Sequence, residues 1–203
     1  MTTESTRKLQ KLQEISEPFE ALLYDVDGTL ANNIQAHKLA YQETAAAYGI
    51  DMDLAIIDET AGWPTIAVAR ELSKRYQVEI DEYEFAKQKS AVFIEKYVNK
   101  TQPVDYVVEH LKLNEGQKRI AIVSGGSRST LNITLTVIDV QGRYETMVCA
   151  GDTAQGKPAA DPFLLAAEQL GVDPKNCLVF EDGDPGVQGA IAAGMSWVRI
   201  DQI

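Results

Sequence analysis

Cysteine is scarce in this chain. Cys149 and Cys177 are the only two, and they have no framework spacing, which excludes a disulfide scaffold as the source of stability. Each lies in an apolar segment, Met147-Val148-Cys149-Ala150 and Cys177-Leu178-Val179-Phe180, where buried free thiols are expected. Long apolar runs are missing too: none approaches the roughly 18 residues of a membrane span. The first residues, Met1-Thr2-Thr3-Glu4-Ser5-Thr6-Arg7, lack the apolar centre of a signal peptide, so the expected compartment is the cytoplasm. Positive charge is in deficit, with 19 Lys and Arg against 30 Asp and Glu and a net charge of -11. That balance argues against non-specific binding to nucleic acid or anionic membrane. It also gives no long-range attraction for anionic metabolites, so any phosphate affinity must be local. There is no internal repeat and no low-complexity segment.

What is present is ordinary for a soluble globular protein: 203 residues, 45% apolar and 24% charged. That length suits one medium domain or a core with a modest insertion. Residues 1–18 are polar, with Leu9, Leu12 and Ile15 spaced by three, which predicts a short amphipathic helix ending near Pro18. Ala21-Leu22-Leu23-Tyr24 predicts a short buried strand. From Ile34 to Asn99 the pattern is helical throughout, with breaks at Gly49, Gly62 and Trp63-Pro64. From Pro103 helices and strands alternate, with strands at Arg119–Val123, Met147–Ala150, Asn176–Phe180 and Trp197–Ile200. Five strands with intervening helices predict an α/β fold with a doubly wound parallel sheet. The helical block is far longer than an ordinary crossover, so a lid domain is expected at residues 32–99, with the core formed by 1–31 and 100–203.

Asp25-Val26-Asp27-Gly28-Thr29-Leu30 follows the first strand, at the strand end where open α/β sheets bind ligands. Two carboxylates so close repel, and a hard divalent cation, typically Mg2+, resolves the conflict. One can then attack an electrophile while the other moves protons. The plain alternative, a surface turn, is weakened by the apolar strand before it. Three further loops join this one. Ser124-Gly125-Gly126-Ser127 sits between a strand and a helix start and offers a hydroxyl and backbone N–H groups to an anion. Lys157, between Gly156 and Pro158, can set an ammonium over a carboxylate or phosphate. Glu181 and Asp182 end a buried strand, where an acidic pair needs a cation or donors. Asp184, ahead of Pro185, is expected to cap the next helix. Singly, the serine and lysine loops are weak signals, since a small-residue turn and a solvated lysine are both common.

Taken in order, these motifs resemble those of the haloacid dehalogenase superfamily of hydrolases, and the insertion after the first motif resembles the helical cap of its beta-phosphoglucomutase-like branch. Phe180-Glu181-Asp182-Gly183-Asp184-Pro185-Gly186-Val187 is similar to sugar-phosphate phosphatases of that branch. The resemblance implies Asp25 as nucleophile and Asp27 as general acid/base, with Ser124 and Lys157 completing the catalytic set. It implies phosphate binding by Ser124, Gly125, Gly126 and Lys157. Mg2+ is implied at Asp25, Asp27 (through its backbone carbonyl), Glu181 and Asp182. The pattern departs at Asn32-Asn33, where a hinge carboxylate is usual, at Ala160 in place of a second proline, and at Gly183 in place of serine.

The expected activity is therefore a Mg2+-dependent phosphatase acting through an aspartyl-phosphate on a small phosphorylated metabolite, a sugar phosphate above all, with the protein a monomer by default. A phosphosugar mutase is the nearest alternative. Mutases of this branch carry a cap arginine for the second phosphate, and the Gly62-Trp63-Pro64-Thr65 turn has none, Arg70 lying two turns on. A catalytically silent phosphate-binding module is a third. A phosphonate hydrolase needs a buried cap lysine, and none of Lys38, Lys74, Lys87, Lys89 and Lys96 has a context that predicts burial. His37, Tyr41, Trp63 and Thr65 are the cap residues expected near substrate, although cap packing explains each as well.

Overall fold

The computed structural model describes residues 2–203. Helix α1 (Thr3–Ser16) begins where the Thr2 side chain accepts from the Ser5 N–H. It leads to strand β1 (Ala21–Tyr24), the centre of the molecule. The other strands of the sheet are β4 (Arg119–Val123), β5 (Thr146–Val148), β6 (Cys177–Glu181) and β7 (Ser196–Arg199), set apart from a short ribbon of β2 (Ala31–Asn32) and β3 (Gln102–Pro103). The order is β5-β4-β1-β6-β7, and every neighbouring pair in this sheet is parallel. The chain builds outward from β1 through β4 to β5, then returns to the far side of β1 for β6 and β7. That reversal places a ligand crevice at the carboxyl end of β1.

Both faces of the sheet are buried, with a period of two. Leu22, Tyr24, Ile120, Ile122, Leu178 and Phe180 join one core cluster, with Leu12 from α1 and Val107 and Leu111 from α6 (Asp105–Asn114). Ala21, Leu23, Ala121, Val123, Cys177 and Val179 join the other, beneath Phe163 and Leu170 of α8 (Asp161–Leu170) and Ala190 of α9 (Asp184–Ala192). Burial on both faces explains why the strands read as continuous apolar runs rather than alternating ones. Cys149 and Cys177 are free and buried, as their segments predict, and burial pushes both thiols up to about 11.

His110 closes one layer of this core. Ser16 Oγ donates to the Gln13 carbonyl at 3.1 Å, so it accepts from His110 Nε2 at 3.0 Å, and Nδ1 then accepts from the Tyr24 hydroxyl at 2.8 Å. The tautomer follows from the neighbours. Tyr24 also stacks on Phe180 at 4.6 Å, so α1, α6, β1 and β6 meet at one fully buried polar chain.

The helical insertion comprises α2 (Ile34–Ala47), α3 (Ala55–Glu59), α4 (Thr65–Tyr76) and α5 (Glu82–Lys96). It has its own core, around Tyr41, Ile56, Val68, Leu72 and Phe85. A smaller cluster of Ala40, Phe93 and Val98 touches Ile133 and Val137 of α7 (Arg128–Val137), seating the insertion on the sheet domain. The two connections run side by side as the antiparallel β2–β3 ribbon, pairing Ala31 with Pro103 and Asn32 with Gln102. Sequence pattern gave no sign of this ribbon, because two-residue strands carry no periodicity.

Candidate functional site

Parallel register dictates the centre of the site. Tyr24 lies level with Ile122 of β4 and Phe180 of β6, so the next residue, Asp25, emerges beside Val123 and Glu181. The turn that follows requires Gly28: its φ is +93°, and a Cβ there would overlap the Asp182 carboxylate. Gly186 is needed for the same reason, since a Cβ there would overlap Glu181.

Asp25, Glu181 and Asp182 offer oxygens that all lie within 4.8 Å of one another. Lys157, reached through a cis Lys157-Pro158 bond, stands between two of them. Its Nζ donates to Asp25 Oδ1 at 2.7 Å, to Glu181 Oε1 at 2.5 Å and to the Val123 carbonyl at 2.8 Å. The lysine is 4% exposed; burial disfavours its charge, but the two carboxylates outweigh that and hold it well above the usual lysine range. One ammonium does not neutralise three acids. Burial, then the charge of Asp25, raises Asp182 to about 7, and burial raises Glu181 to about 8. Asp25 is raised as well, by burial first, with Lys157 opposing. Three hard-oxygen donors, two buried and one half-buried, with surplus negative charge form a donor set that fits Mg2+.

Asp27 is held in a different way. Its Oδ1 accepts from Asn33 Nδ2 at 2.6 Å and lies 3.1 Å from His37 Nε2. Lys89 Nζ sits 2.7 Å from His37 Nδ1 and 4.3 Å from the centre of the Tyr41 ring. Because the ammonium can only donate, Nδ1 is the acceptor and Nε2 carries the proton toward Asp27. Burial disfavours the Asp27 charge, but His37, Asn33 and Lys89 together hold the carboxyl well below the usual carboxylate range. Burial and the adjacent Lys89 charge push His37 down, keeping the ring neutral. Lys89 is itself lowered to about 8 by burial.

Asp25, Asp27, His37, Lys89, Glu181 and Asp182 line a cavity of about 650 Å3 between insertion and core. Ser124 is buried beside it, its Oγ accepting from the Gly126 N–H at 3.1 Å, and Ser127 caps α7. Gly125 packs so closely under the insertion that a Cβ there would come 2.5 Å from the Gly62 carbonyl. The structure thus holds the insertion down over the core loops. His37, Tyr41, Trp63 and Thr65 all line the cavity.

Two sequence expectations are corrected. Lys89 is 5% exposed and faces the cavity, whereas no cap lysine is expected to be buried. Its neighbours Phe85 and Phe93, four residues either side and both fully buried, are the signal that places it on the inner stripe of α5. Asp184 does not cap α9; Gly183 occupies the cap position, and Asp184 pairs with Arg199, whose second partner is Asp201. Asn33, where a hinge carboxylate is usual, is the direct partner of Asp27. The Asp27 side chain lies outside the acidic trio, so any part it has in metal binding rests on its backbone. Thr29 and Arg199 were also missed: Thr29 Oγ1 donates to Asp182 at 3.3 Å, and Arg199 lines the cavity.

Comparisons with known proteins agree with this architecture. The chain is 29% identical over 184 residues to the fructose-1-phosphate phosphatase YqaB of Escherichia coli (strain K12), spanning 91% of this chain and 97% of that protein. Among solved structures, CbbY from Rhodobacter sphaeroides in complex with phosphate superposes with a TM-score of 0.80 at 21% identity, over 88% of this chain and 84% of that one. The beta-phosphoglucomutase of Clostridium difficile superposes with a TM-score of 0.78 at 21% identity, over 89% and 84%. At that identity both show the shared fold. The sequence profile of the haloacid dehalogenase-like hydrolases matches residues 22–200, from β1 to the end of the sheet, and the chain belongs to that family.

Proposed function

We propose that this hydrolase is a Mg2+-dependent phosphatase that cleaves a small phosphorylated metabolite with a neutral, hydroxyl-bearing leaving group, a sugar phosphate being the best fit. The observation that carries the reading is the division of labour between Asp25 and Asp27. Asp25 is pinned at one oxygen by a buried ammonium, and Asp27, two residues on, is tied to the neutral imidazole of His37.

Asp25 serves as nucleophile. Its free carboxylate oxygen attacks phosphorus in line, and the bond from phosphorus to the ester oxygen breaks. Asp27, ionised in the empty cavity, takes up a proton from solvent as the phosphate enters and gives it to the departing alkoxide. Arrival of a phosphate dianion adds negative charge to the cavity, which favours the protonated Asp27 that this step needs. Water then attacks the aspartyl-phosphate and loses its proton to Asp27; the acyl-oxygen to phosphorus bond breaks, and inorganic phosphate leaves with Asp25 restored. The Ser124 hydroxyl and the Gly125 N–H bind the phosphoryl oxygens, joined by the Gly126 N–H when it leaves Ser124 Oγ. Lys157, whose three N–H groups go to Asp25, Glu181 and the Val123 carbonyl, lends its charge through Asp25. Asp25, Asp182 and the Asp27 backbone carbonyl would hold Mg2+, with Glu181, already committed to Lys157, at its edge. When bound, the ion neutralises charge on the transferring group and on the acidic trio.

The cavity wall favours hydrolase over mutase. Lys89 is engaged by His37 and Arg199 by Asp184 and Asp201, while Asp58 and Glu59 add negative charge on the insertion side. Among the described residues, no cation of this wall is left to grip a second phosphate. Lys89, used as a charged partner, is also poorly placed to act as a free amine on a phosphonate. The phosphatase YqaB is named for fructose 1-phosphate, a substrate of this chemistry.

The test is phosphate release from a panel of sugar phosphates, bisphosphates and p-nitrophenyl phosphate, with Mg2+ and with EDTA. Metal-dependent release, strongest on a monophosphate, is expected. Interconversion of phosphosugars without release would overturn the reading in favour of a mutase.

A further inference from the structure

The acidic site stands on an aromatic floor. Side chains alternate at the strand ends, so Tyr24 and Phe180 turn into the core while the next residues, Asp25 and Glu181, reach the cavity. The two rings stack at 4.6 Å with an interplanar angle of 11°. One residue on, Asp25 and Glu181 are the carboxylates that hold Lys157, at 2.7 and 2.5 Å. The Asp25 N–H also donates to the Phe180 carbonyl at 3.0 Å. Whatever shifts one ring against the other shifts one carboxylate against the other.

A third ring fixes this pair. His110 lies 5.1 Å from Phe180 and 6.0 Å from Tyr24, tilted 59° to each, and its Nδ1 accepts from the Tyr24 hydroxyl at 2.8 Å. Its Nε2 donates to Ser16, the last residue of α1, at 3.0 Å. All four residues are completely buried. Burying a hydroxyl and an imidazole is costly, and apolar contacts such as those of Leu9 and Leu12 already seat α1 without that cost. Hydrogen bonds add what apolar contact lacks, a fixed direction. α1 lies ahead of residues 22–200, which match the family profile, so the chain of bonds ties a helix outside that profile to the strand end that carries Asp25.

We infer that Ser16, His110 and Tyr24 are positioning residues for the nucleophile: together they fix the tilt of the Tyr24 ring against Phe180, and with it the seat of Asp25 relative to Lys157 and Glu181. α1 is thereby a working part of the site although it touches no substrate. The inference rests on Asp25 as nucleophile of the proposed phosphatase.

The experiment compares Tyr24→Phe, Ser16→Ala and the double variant with the unaltered protein. Leu170→Ala, which loosens the core on the opposite face of the sheet, is the control. Read out are the melting midpoint, kcat and KM on p-nitrophenyl phosphate well below that midpoint, and the nuclear magnetic resonances of the backbone amides. Tyr24→Phe is expected to lower kcat about tenfold with KM unchanged, the cost of a nucleophile displaced by a fraction of an ångström. Ser16→Ala should lower kcat about threefold, because His110 keeps its bond to Tyr24. The double variant should be no slower than Tyr24→Phe, since both changes act through one chain. Leu170→Ala should lower the midpoint and leave kcat unchanged. In Ser16→Ala the altered resonances should extend through Tyr24 to Asp25 and Glu181.

A lowered midpoint with unchanged kcat in Tyr24→Phe would overturn the inference, as would losses that multiply in the double variant. If Tyr24→Phe does not fold, kcat of Ser16→Ala decides by the same criterion. Absence of turnover in the unaltered protein would refute the phosphatase reading alone. The resonances of Ser16→Ala then decide the positioning, and changes that stop at His110 would overturn it.

Discussion

Lys89 and His37 sit 2.7 Å apart, ammonium nitrogen to ring Nδ1, on different helices of the insertion, and through that contact the insertion reaches Asp27 in the core. The lysine determines which ring nitrogen holds the proton, and the ring then presents that proton to the carboxylate 3.1 Å away. Lifting the insertion takes this support away from Asp27. In the proposed mechanism, Asp27 therefore has its full set of donors only when the insertion covers the cavity.

Replacing Lys89 with methionine is expected to lower kcat by about 10²-fold, near the low end of what acid–base assistance contributes, with little change in the circular dichroism spectrum. The pH profile gives a sharper test. Lys89 is lowered to about 8, so raising the pH through that value removes its proton and with it the charge that orders His37. Activity should fall above about pH 8 in the unaltered protein. In Lys89→Arg this alkaline limb should move to higher pH, because a guanidinium does not titrate there. A limb that stays in place would assign it to another group.

Asp25→Asn should abolish phosphate release, by at least about 10³-fold, because an amide cannot form the covalent intermediate. Phosphate release and far-ultraviolet circular dichroism check the loss and the fold together. Retained turnover in the variant would remove Asp25 from the role of nucleophile.

Gly28→Ala tests the shape of the turn rather than its charges. The left-handed φ of +93° and the overlap with Asp182 act together, and a penalty of about 1–3 kcal/mol is expected from the backbone alone. The melting midpoint should drop. Because the displaced group belongs to the acidic trio, the stabilisation given by added Mg2+ in a thermal melt should shrink as well.

Acid should destabilise the protein through His110. Burial lowers this ring to about 4 in the folded state, against 6.5 when exposed. Between those values the unfolded chain binds a proton that the folded chain refuses. Stability is therefore lost as pH falls from about 6.5 to about 4, by about 3 kcal/mol in all, and no further from this group below that. Denaturant titrations across this range should show the slope, and His110→Gln should flatten it.

The centre of the site was legible because its residues lie at the ends of strands. Asp25, Ser124, Glu181 and Asp182 each follow an apolar run, so their convergence follows from parallel register and needs no knowledge of side-chain packing. The outer part was less legible for a physical reason. Lys89 acts by being buried, and burial of a lysine against Tyr41 and Phe93 emerges only when α5 docks on α2. Asn33 looked like the loss of a hinge carboxylate, yet an amide donor is what an ionised Asp27 accepts from. Asp184 fits the pattern of a helix cap by position; Arg199, fifteen residues away on the edge strand, draws it elsewhere.

The β2–β3 ribbon has one more consequence. The insertion leaves and re-enters the core at paired neighbouring residues, Asn32 with Gln102, so the path of the core is already closed beneath it. Geometrically the insertion is a cassette on a clasp. Its length and contents can be exchanged without changing a single strand pairing in the five-stranded sheet, and the insertion's wall of the cavity can be rewritten while the core's wall stays in register.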